Sequence, residues 1–337
     1  MADLEFGVFD WVDVAEGRTI AQTYDDRIAV ARRADRGRFE RYHIAEHHGA
    51  TLGLAASPGL FAAAVARETA RIRLAPMTFI VPLYDPLRLV EEIAMIDQLS
   101  HGRLELGIGK GSSPIEARMF GLGPEDMRAR YEVFLPRILD ALERGVYRNE
   151  AGEEFPLTIV PAQQAFTTWY PTSNPESIEY AAVNGQNTIF GFAFRSPSLE
   201  VIRDRRDIYF AAREGAEGTH PRFGILRHVF VAPTEDEAWE KAEAAFADHY
   251  DNFTWLWRQH GVEQPPQPDL RQLVDERLFF VGSVDAVIEQ VVHVVEATGV
   301  NYLAGAFSWG SLPVDDAVRS VDLFDTHVIP AVLSRLD

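Results

Sequence analysis

Short apolar runs alternate along this chain with stretches in which apolar residues recur every three or four positions. LEFGVF (4–9) is an apolar run of strand length. TYDDRIAVARRADRGRF (23–39) sets Ile28, Ala31 and Ala34 on one helical face, with Gly37 near its end. YHIAEH follows as a short extended segment. Ser57 as cap and Pro58 in the first turn open a helix over 57–70. RIRLAPMTFIVP (71–82) predicts a strand, Asp85 and Pro86 begin a helix through Gln98, and RLELGIGKG (103–111) predicts a strand ending in glycines. A helix over 127–145 contains Pro136, which leaves room for a kink.

The second half continues with strands at 167–171, 187–192, 224–231 and 300–306, and helices near 175–184, 198–213, 234–250 and 314–335. Strand and helix in alternation indicate a parallel α/β protein, and a total of about eight strands favours a (β/α)8 TIM barrel with insertions over an open sheet. No linker rich in Gly, Pro or Ser divides the chain, so residues 1–337 are expected to form a single domain. Segments near 145–166 and 251–280 read as insertions covering the mouth of the site, and FTWLWRQH (253–260) is aromatic enough to pack over an apolar substrate. Barrel enzymes work at the carboxyl ends of their strands. Those ends carry HIAEHH, MTFIVPLYDP, GIGKGSS and YPTSNPES.

Composition narrows the function. A chain of 337 residues with 47% hydrophobic content builds its core without disulfides or structural metal. It has no cysteine, which excludes a disulfide scaffold, a thiolate zinc site, an iron–sulfur cluster and a thiol nucleophile, and fits a cytoplasmic location. The acidic N-terminal stretch does not read as a signal peptide, and no apolar run approaches the length of a bilayer span. A net charge of −19 repels phosphate backbones and anionic lipid, so neither nucleic acid nor a membrane is an expected partner.

Three motifs carry candidate chemistry. His43-Ile-Ala-Glu46-His47 matches a zinc pattern that needs a helix, whereas here it falls on a strand and its loop; no metal is expected. Structural, hydrogen-bonded histidines are the plain alternative, most of all for His43. Gly107-x-Gly109-Lys110-Gly111-Ser112-Ser113 is neither a P-loop nor a dinucleotide fingerprint, yet close glycines, a lysine and two hydroxyls could hold a phosphate. A tight turn explains the same glycines equally well. Thr172-Ser173-Asn174-Pro175-Glu176-Ser177 sets hydroxyls before a helix N-terminus, which suits either an anion or an ordinary cap.

AEHH at 45–48, IVPLYDPLRLVEEIAMIDQLSHGRLELGIGKG at 80–111, PTSNPESIEYAA at 171–182, VGSVDAVIEQVVHVVEATGVNYL at 281–303 and LFDTHVIPAV at 323–332 together resemble the bacterial luciferase-like flavin-dependent oxidoreductase family over nearly the whole chain. The resemblance implies a (β/α)8 barrel, a homodimer, and a flavin at the strand tips. The paired histidines resemble the FMN monooxygenase branch. This implies a reduced-FMN (FMNH2) enzyme that passes one oxygen atom from O2 to a small apolar organic substrate through a C4a-peroxyflavin. A separate NAD(P)H:flavin reductase is implied, since the chain shows no nicotinamide fingerprint. By the resemblance His47 is the catalytic histidine, with Glu46 or His48 orienting it. Lys110 stands where the family has a phosphate-binding arginine, and Gly109 where luciferase has a reactive cysteine. Thr172, Ser173 and Ser177 match the phosphate loop. Met77–Thr78 matches a non-prolyl cis peptide beneath the flavin. Phe9, Met77, Thr78 and Trp309 are candidate walls for the ring and substrate, with the core as the alternative for Phe9, Met77 and Trp309. F420-dependent hydride transfer and a non-catalytic flavin-binding subunit are the alternative functions.

Overall fold

Glu5–Asp10 (β1) pairs in parallel with Phe39–Ile44 (β2), and β2 with Arg73–Pro76 (β3). A bridge from Leu74 to Leu104 carries the sheet to Leu106–Gly109 (β4), which pairs with Thr168–Trp169 (β5). A second bridge, Trp169 to Asn187, leads to Thr188–Phe190 (β6) and then to Phe223–Ala232 (β7). Phe279–Ser283 (β8) pairs with the distal part of β7, His228–Ala232. Tyr302–Ala306 (β9) joins the proximal part of β7 to β1 and closes the ring. The result is an eight-stranded parallel barrel, β1 to β7 plus β9, with β8 hung outside it. The structure, a computed structural model, describes residues 4–191, 198–213 and 220–336. Residue 192, the end of the expected strand 187–192, lies outside the described residues.

The strands are continuous apolar runs because both of their faces are covered. Phe6, Val8, Ile44, Leu74, Phe190, Ile225 and Leu303 face the surrounding helices. Phe9, Met77, Trp169, Ile189, Leu226, Tyr302 and Ala304 fill the interior. Each Val, Leu, Ile, Phe or Met among them contributes about 1.5–3 kcal/mol on burial. The floor of the barrel is ionic: Glu105 accepts from Arg41 at 2.8 Å, Arg73 at 2.6 Å and the Trp169 indole at 2.6 Å, while Glu5 pairs with Arg41 and Arg222. That seals one end and leaves the carboxyl ends of the strands for chemistry.

The helices follow local signals closely. Ile20–Asp35 (α1) starts earlier than its apolar pattern, because Thr19 and Gln22 form a capping box. Pro58–Glu68 (α2) and Pro86–Leu99 (α3) begin at the expected caps, Ser57 and Asp85. Pro114–Met119 (α4) follows β4, and Pro124–Arg144 (α5) runs through Pro136. Pro175–Val183 (α6) and Leu199–Arg213 (α7) flank β6. Glu235–Gln259 (α8) extends beyond the expected 234–250 and takes in most of FTWLWRQH. The expected strand 71–82 stops at Pro76, resumes for Phe79–Ile80, and turns into a 3₁₀ segment, Val81–Leu83. Within 145–166 the chain forms a hairpin, Val146–Arg148 against Glu154–Pro156, and Gln163 binds Asp97, Arg73 and the Leu104 carbonyl at the amino ends of the strands, so this segment does not cover the mouth as expected. The expected helix 314–335 is Val314–Leu323, a π turn at Phe324–Val328, and Ile329–Leu336. β8 begins at the end of the expected insertion 251–280 and was not among the expected strands, because a short apolar run beside a longer one carries no signal of which strand it joins. No helix among the described residues is long and apolar enough to cross a membrane.

Candidate active site

The segment leaving β2 splits its histidines among three environments. His43 points into the barrel and is fully buried. Its Nδ1 lies 3.1 Å from the Ala75 carbonyl, which can only accept, so Nδ1 carries the proton and Nε2 accepts from the Tyr302 hydroxyl at 2.6 Å. Burial, and then the Arg41 charge, push its pKa down to about 3, so the ring is neutral and structural.

His47 is partly exposed at the mouth and stacks on Trp11, with ring centroids 5.8 Å apart. Its Nδ1 is 3.1 Å from Glu116 Oε1, while Glu116 Oε2 accepts the His48 backbone N–H at 3.3 Å. Glu116 is almost fully buried on α4, and Ser113 caps that helix by accepting the Glu116 backbone N–H. A carboxylate that takes the Nδ1 proton leaves the other ring nitrogen, Nε2, as the base in the neutral ring.

His48 forms a separate pair. Its Nε2 is 3.0 Å from Glu46 Oε1, and Glu46 Oε2 accepts the Ile80 N–H at 2.9 Å and the Tyr84 hydroxyl at 3.0 Å. Burial raises the Glu46 pKa against these donors. The expectation that Glu46 or His48 orients His47 is therefore corrected. Both turn toward the 79–84 segment, because successive residues of an extended chain point to opposite sides. Glu116 holds His47 instead. Ser113-x-x-Glu116 is a helix-start pattern absent from the sequence reading, and nothing local shows which histidine its carboxylate meets.

The Met77–Thr78 peptide is cis, and Met77 and Thr78 are buried at the tip of β3. The glycines of β4 fit around it. A Cβ on Gly107 would lie 1.8 Å from the Pro76 carbonyl oxygen, and one on Gly109 would lie 2.6 Å from Thr78 Oγ1. These two glycines are thus required by protein packing. Lys110 follows on the exposed rim, and no ion pair engages it among the described residues. Asn174 caps α6 by accepting the Glu176 and Ser177 N–H groups, and Thr172 Oγ1 accepts the Asn174 N–H. Ser173 is exposed and Ser177 is partly exposed, so their hydroxyls are presented at the tip of β5, next to β4.

Phe9 lies in the interior cluster with Met77, edge-on to Trp11 at 4.8 Å. Trp309 does not join them. It is fully buried beside Phe246 and Phe279, and its indole donates to the Val229 carbonyl at 3.3 Å, which makes it a core residue under β7 and β8. Among the described residues no three His, Cys, Asp or Glu side chains gather as a metal site.

A buried clasp, absent from the sequence reading, ties α8 across the mouth. Asp13 accepts from Arg27 at 2.7 Å, from the Gly310 N–H at 2.8 Å, and pairs with His249 Nδ1 at 3.0 Å. Asn252 donates to the Val14 carbonyl at 2.7 Å, and Phe253 packs on the interior cluster. Gly310 lets the helix backbone approach, since a Cβ there would lie 2.0 Å from the Ala245 carbonyl oxygen.

Residues 4–302 match the family described as luciferase-like monooxygenase. The chain is 36% identical to an uncharacterised protein of Sinorhizobium fredii (y4wF), over 98% of this chain and 97% of that one. It is 29% identical to the oxygenase component of a flavin-dependent trigonelline monooxygenase from Acinetobacter baylyi, covering 77% of this chain and 74% of the relative. The fold superposes with a TM-score of 0.82, at 23% identity, on the oxygenating constituent of 3,6-diketocamphane monooxygenase from Pseudomonas putida, a type II Baeyer–Villiger monooxygenase solved with FMN; the match covers 97% of this chain and 98% of that one.

Proposed function

The chain belongs to the luciferase-like monooxygenase family, and on that premise we propose that it is the oxygenase of a two-component system, using reduced FMN and O2 to oxygenate a small apolar organic substrate. The observation that carries this reading is that His47, held by a buried carboxylate, shares the barrel mouth with Lys110, a cation with no carboxylate partner among the described residues. The chain has two lysines and a net charge of −19. Lys241 is bound by Glu237 and Asp316, whereas no ion pair engages Lys110 among the described residues.

The residues present fit a flavin phosphate. Lys110 and the hydroxyls of Thr172, Ser173 and Ser177 would hold it by charge-assisted hydrogen bonds. Met77, Thr78 and Phe9 would back the ring. Bound reduced FMN supplies the activation of dioxygen. His47 Nε2 holds or delivers a proton at the reacting edge, and Glu116 fixes the tautomer that makes this nitrogen available. Glu46 and His48 hold the 79–84 segment against this site. Phe253 and the interior cluster keep water out.

A separate NAD(P)H:flavin reductase would supply the reduced cofactor, and the absence of cysteine suits a cytoplasmic enzyme. The trigonelline relative is itself named an oxygenase component, which supports the two-component arrangement. We further propose a homodimer through α2 and α3, which leave Leu60, Met95 and Leu99 exposed. Leu60→Glu combined with Met95→Glu is expected to give a monomer by light scattering after size exclusion, and an unchanged dimer mass would place the interface elsewhere.

The direct test is anaerobic titration with reduced FMN and with reduced F420, followed by stopped-flow mixing with oxygenated buffer. Reduced FMN is expected to bind preferentially, and preferential F420 binding would replace this reading by hydride transfer. Lys110→Ala is expected to weaken reduced FMN by about tenfold to a hundredfold, the range for one charge-assisted hydrogen bond, while reduced riboflavin, which has no phosphate, binds as before. Equal losses for both flavins would remove Lys110 from the phosphate site.

A further inference from the structure

α4 walls the mouth beside His47. Its Glu116 holds the His47 ring and the His48 N–H, and Phe120, at the end of the helix, meets the His48 ring edge-on with centroids 4.8 Å apart. Between them Met119 lies on Gly49. A Cβ on Gly49 would sit 2.8 Å from both Sδ and Cε of Met119, so the thioether rests directly on the glycine backbone. Gly49 has φ +60°, which favours a residue without a side chain and leaves that face open to the sulfur. His47, His48 and Gly49 form one turn, and one short helix and its cap hold all of it.

The same thioether is open to solvent. Met119 is 46% exposed, whereas Met77 and Met127 are buried, and exposed Met95 is on α3, a helix of the proposed dimer face. The chain has no cysteine, so no thiol competes for an oxidant. Oxidation converts a flexible apolar side chain into a polar one that carries an oxygen on sulfur. A sulfoxide oxygen pointed at Gly49 meets backbone, and one hydrated by solvent draws the side chain off the turn.

Resting on the flavin-monooxygenase reading, we propose that Met119 is an oxidation site that slows the enzyme when reduced flavin is consumed without substrate. The oxidant is hydrogen peroxide. When no organic acceptor takes an oxygen atom, O2 takes two electrons and two protons from reduced FMN and leaves the mouth as hydrogen peroxide. The Met119 sulfur attacks one peroxide oxygen, so that an S–O bond forms as the O–O bond breaks. The departing hydroxide takes up the proton left on the new sulfoxide and becomes water. The sulfoxide unseats α4 from the turn and Glu116 withdraws from His47. The change lasts until a methionine sulfoxide reductase restores the thioether.

The oxidant and the flavin are tested apart. Hydrogen peroxide is added to the flavin-free protein. Peptide mass spectrometry reads the oxygen atom gained at each methionine, hydrogen exchange reads the His48 amide, and ¹⁵N NMR reads which His47 nitrogen carries the proton. Met119 is expected to be converted ahead of Met77 and Met127. The His48 amide is then expected to exchange about tenfold faster, the scale of one hydrogen bond to a charged group. The Nδ1–H form of His47 is expected to give way to a mixture of tautomers. Met119→Leu, which packs without sulfur, is expected to keep both signals unchanged under peroxide, and Met119→Gln to show the altered signals without it. A Met119 sulfoxide that leaves both signals unchanged overturns the proposal, as does a Met119→Leu protein that responds to peroxide like the unsubstituted one.

The protein then reoxidises reduced FMN in air with no organic substrate, with and without catalase. Met119 is expected to be oxidised only where catalase is absent. If reduced FMN binds and Met119 stays unoxidised, the enzyme's own turnover is not the source and the proposal fails. If reduced FMN does not bind, the flavin reading fails instead, while the peroxide arm still decides whether Met119 controls His47.

Discussion

Asp13→Ala lowers the free energy of unfolding by about 3–5 kcal/mol, the range for removing one partner of a buried ion pair. Asp13 and Arg27 are both almost fully buried, and the same carboxylate also holds His249 and the Gly310 amide. Removing it leaves the Arg27 guanidinium with the Asp10 carboxylate at 3.6 Å and the Asp13 backbone carbonyl, and takes the carboxylate away from the His249 ring. Equilibrium urea unfolding measures the loss, and hydrogen exchange locates it, with faster exchange expected in α8 around 245–256. A loss below about 1 kcal/mol, the scale of an exposed pair, would mean that the clasp does not hold the mouth closed.

The acid limb provides an independent check. Burial alone would raise the Asp13 pKa, but His249, Arg27 and the Gly310 amide together outweigh it, and the folded value lies below the ordinary one. Its contribution to stability is thus fully present above the unfolded value, near pH 4, and is lost as the pH falls through the folded value. Asp10 works the other way, since burial prevails there and raises its pKa despite Arg27 and Tyr42. Asp13→Ala is expected to flatten the fall in stability below about pH 4.

His47→Asn is expected to lower turnover by about 10²–10⁴-fold, the range for a positioned acid–base group, with reduced FMN affinity changed little. Glu116→Gln keeps the size of the side chain but loses the carboxylate that fixes the Nδ1 proton, and its turnover is expected to fall between the two. The residues act as one unit, so the double substitution is expected to be no worse than His47→Asn alone. Rapid-quench single turnovers, with flavin affinity measured beside them, separate chemistry from binding. His47→Asn with full turnover ends the acid–base assignment. Additive losses in the double substitution would mean that Glu116 acts elsewhere than on His47.

The segments of the candidate site were legible in the sequence as strand tips, because a barrel fixes in advance where chemistry can sit. The tips of β2, β3, β4 and β5 are HIAEHH, Met77–Thr78, GIGKG and the 172–177 loop, and they do meet at one mouth. What failed was the assignment of partners. Glu46 stands next to His47 in sequence, yet the carboxylate that reaches it is 69 residues away on α4. The paired glycines 107 and 109 resembled a ligand cradle, but the Pro76 carbonyl and the Thr78 hydroxyl occupy the space a side chain would need.

The alternation of strand and helix, the caps at Ser57 and Asp85, and the lack of cysteine were determined by the sequence alone, since periodicity and capping are local and report only which face is buried. Tertiary structure decided the rest. It closed the barrel through single bridges at Leu74–Leu104 and Trp169–Asn187, hung β8 outside the ring, and drew α8 over the mouth through Asp13 and His249, which are 236 residues apart. It also left the Trp11 indole N–H without an acceptor among the described residues. Such contacts join side chains whose local patterns are silent about one another, and their energies are realised only once the ring of strands has brought them within hydrogen-bonding distance.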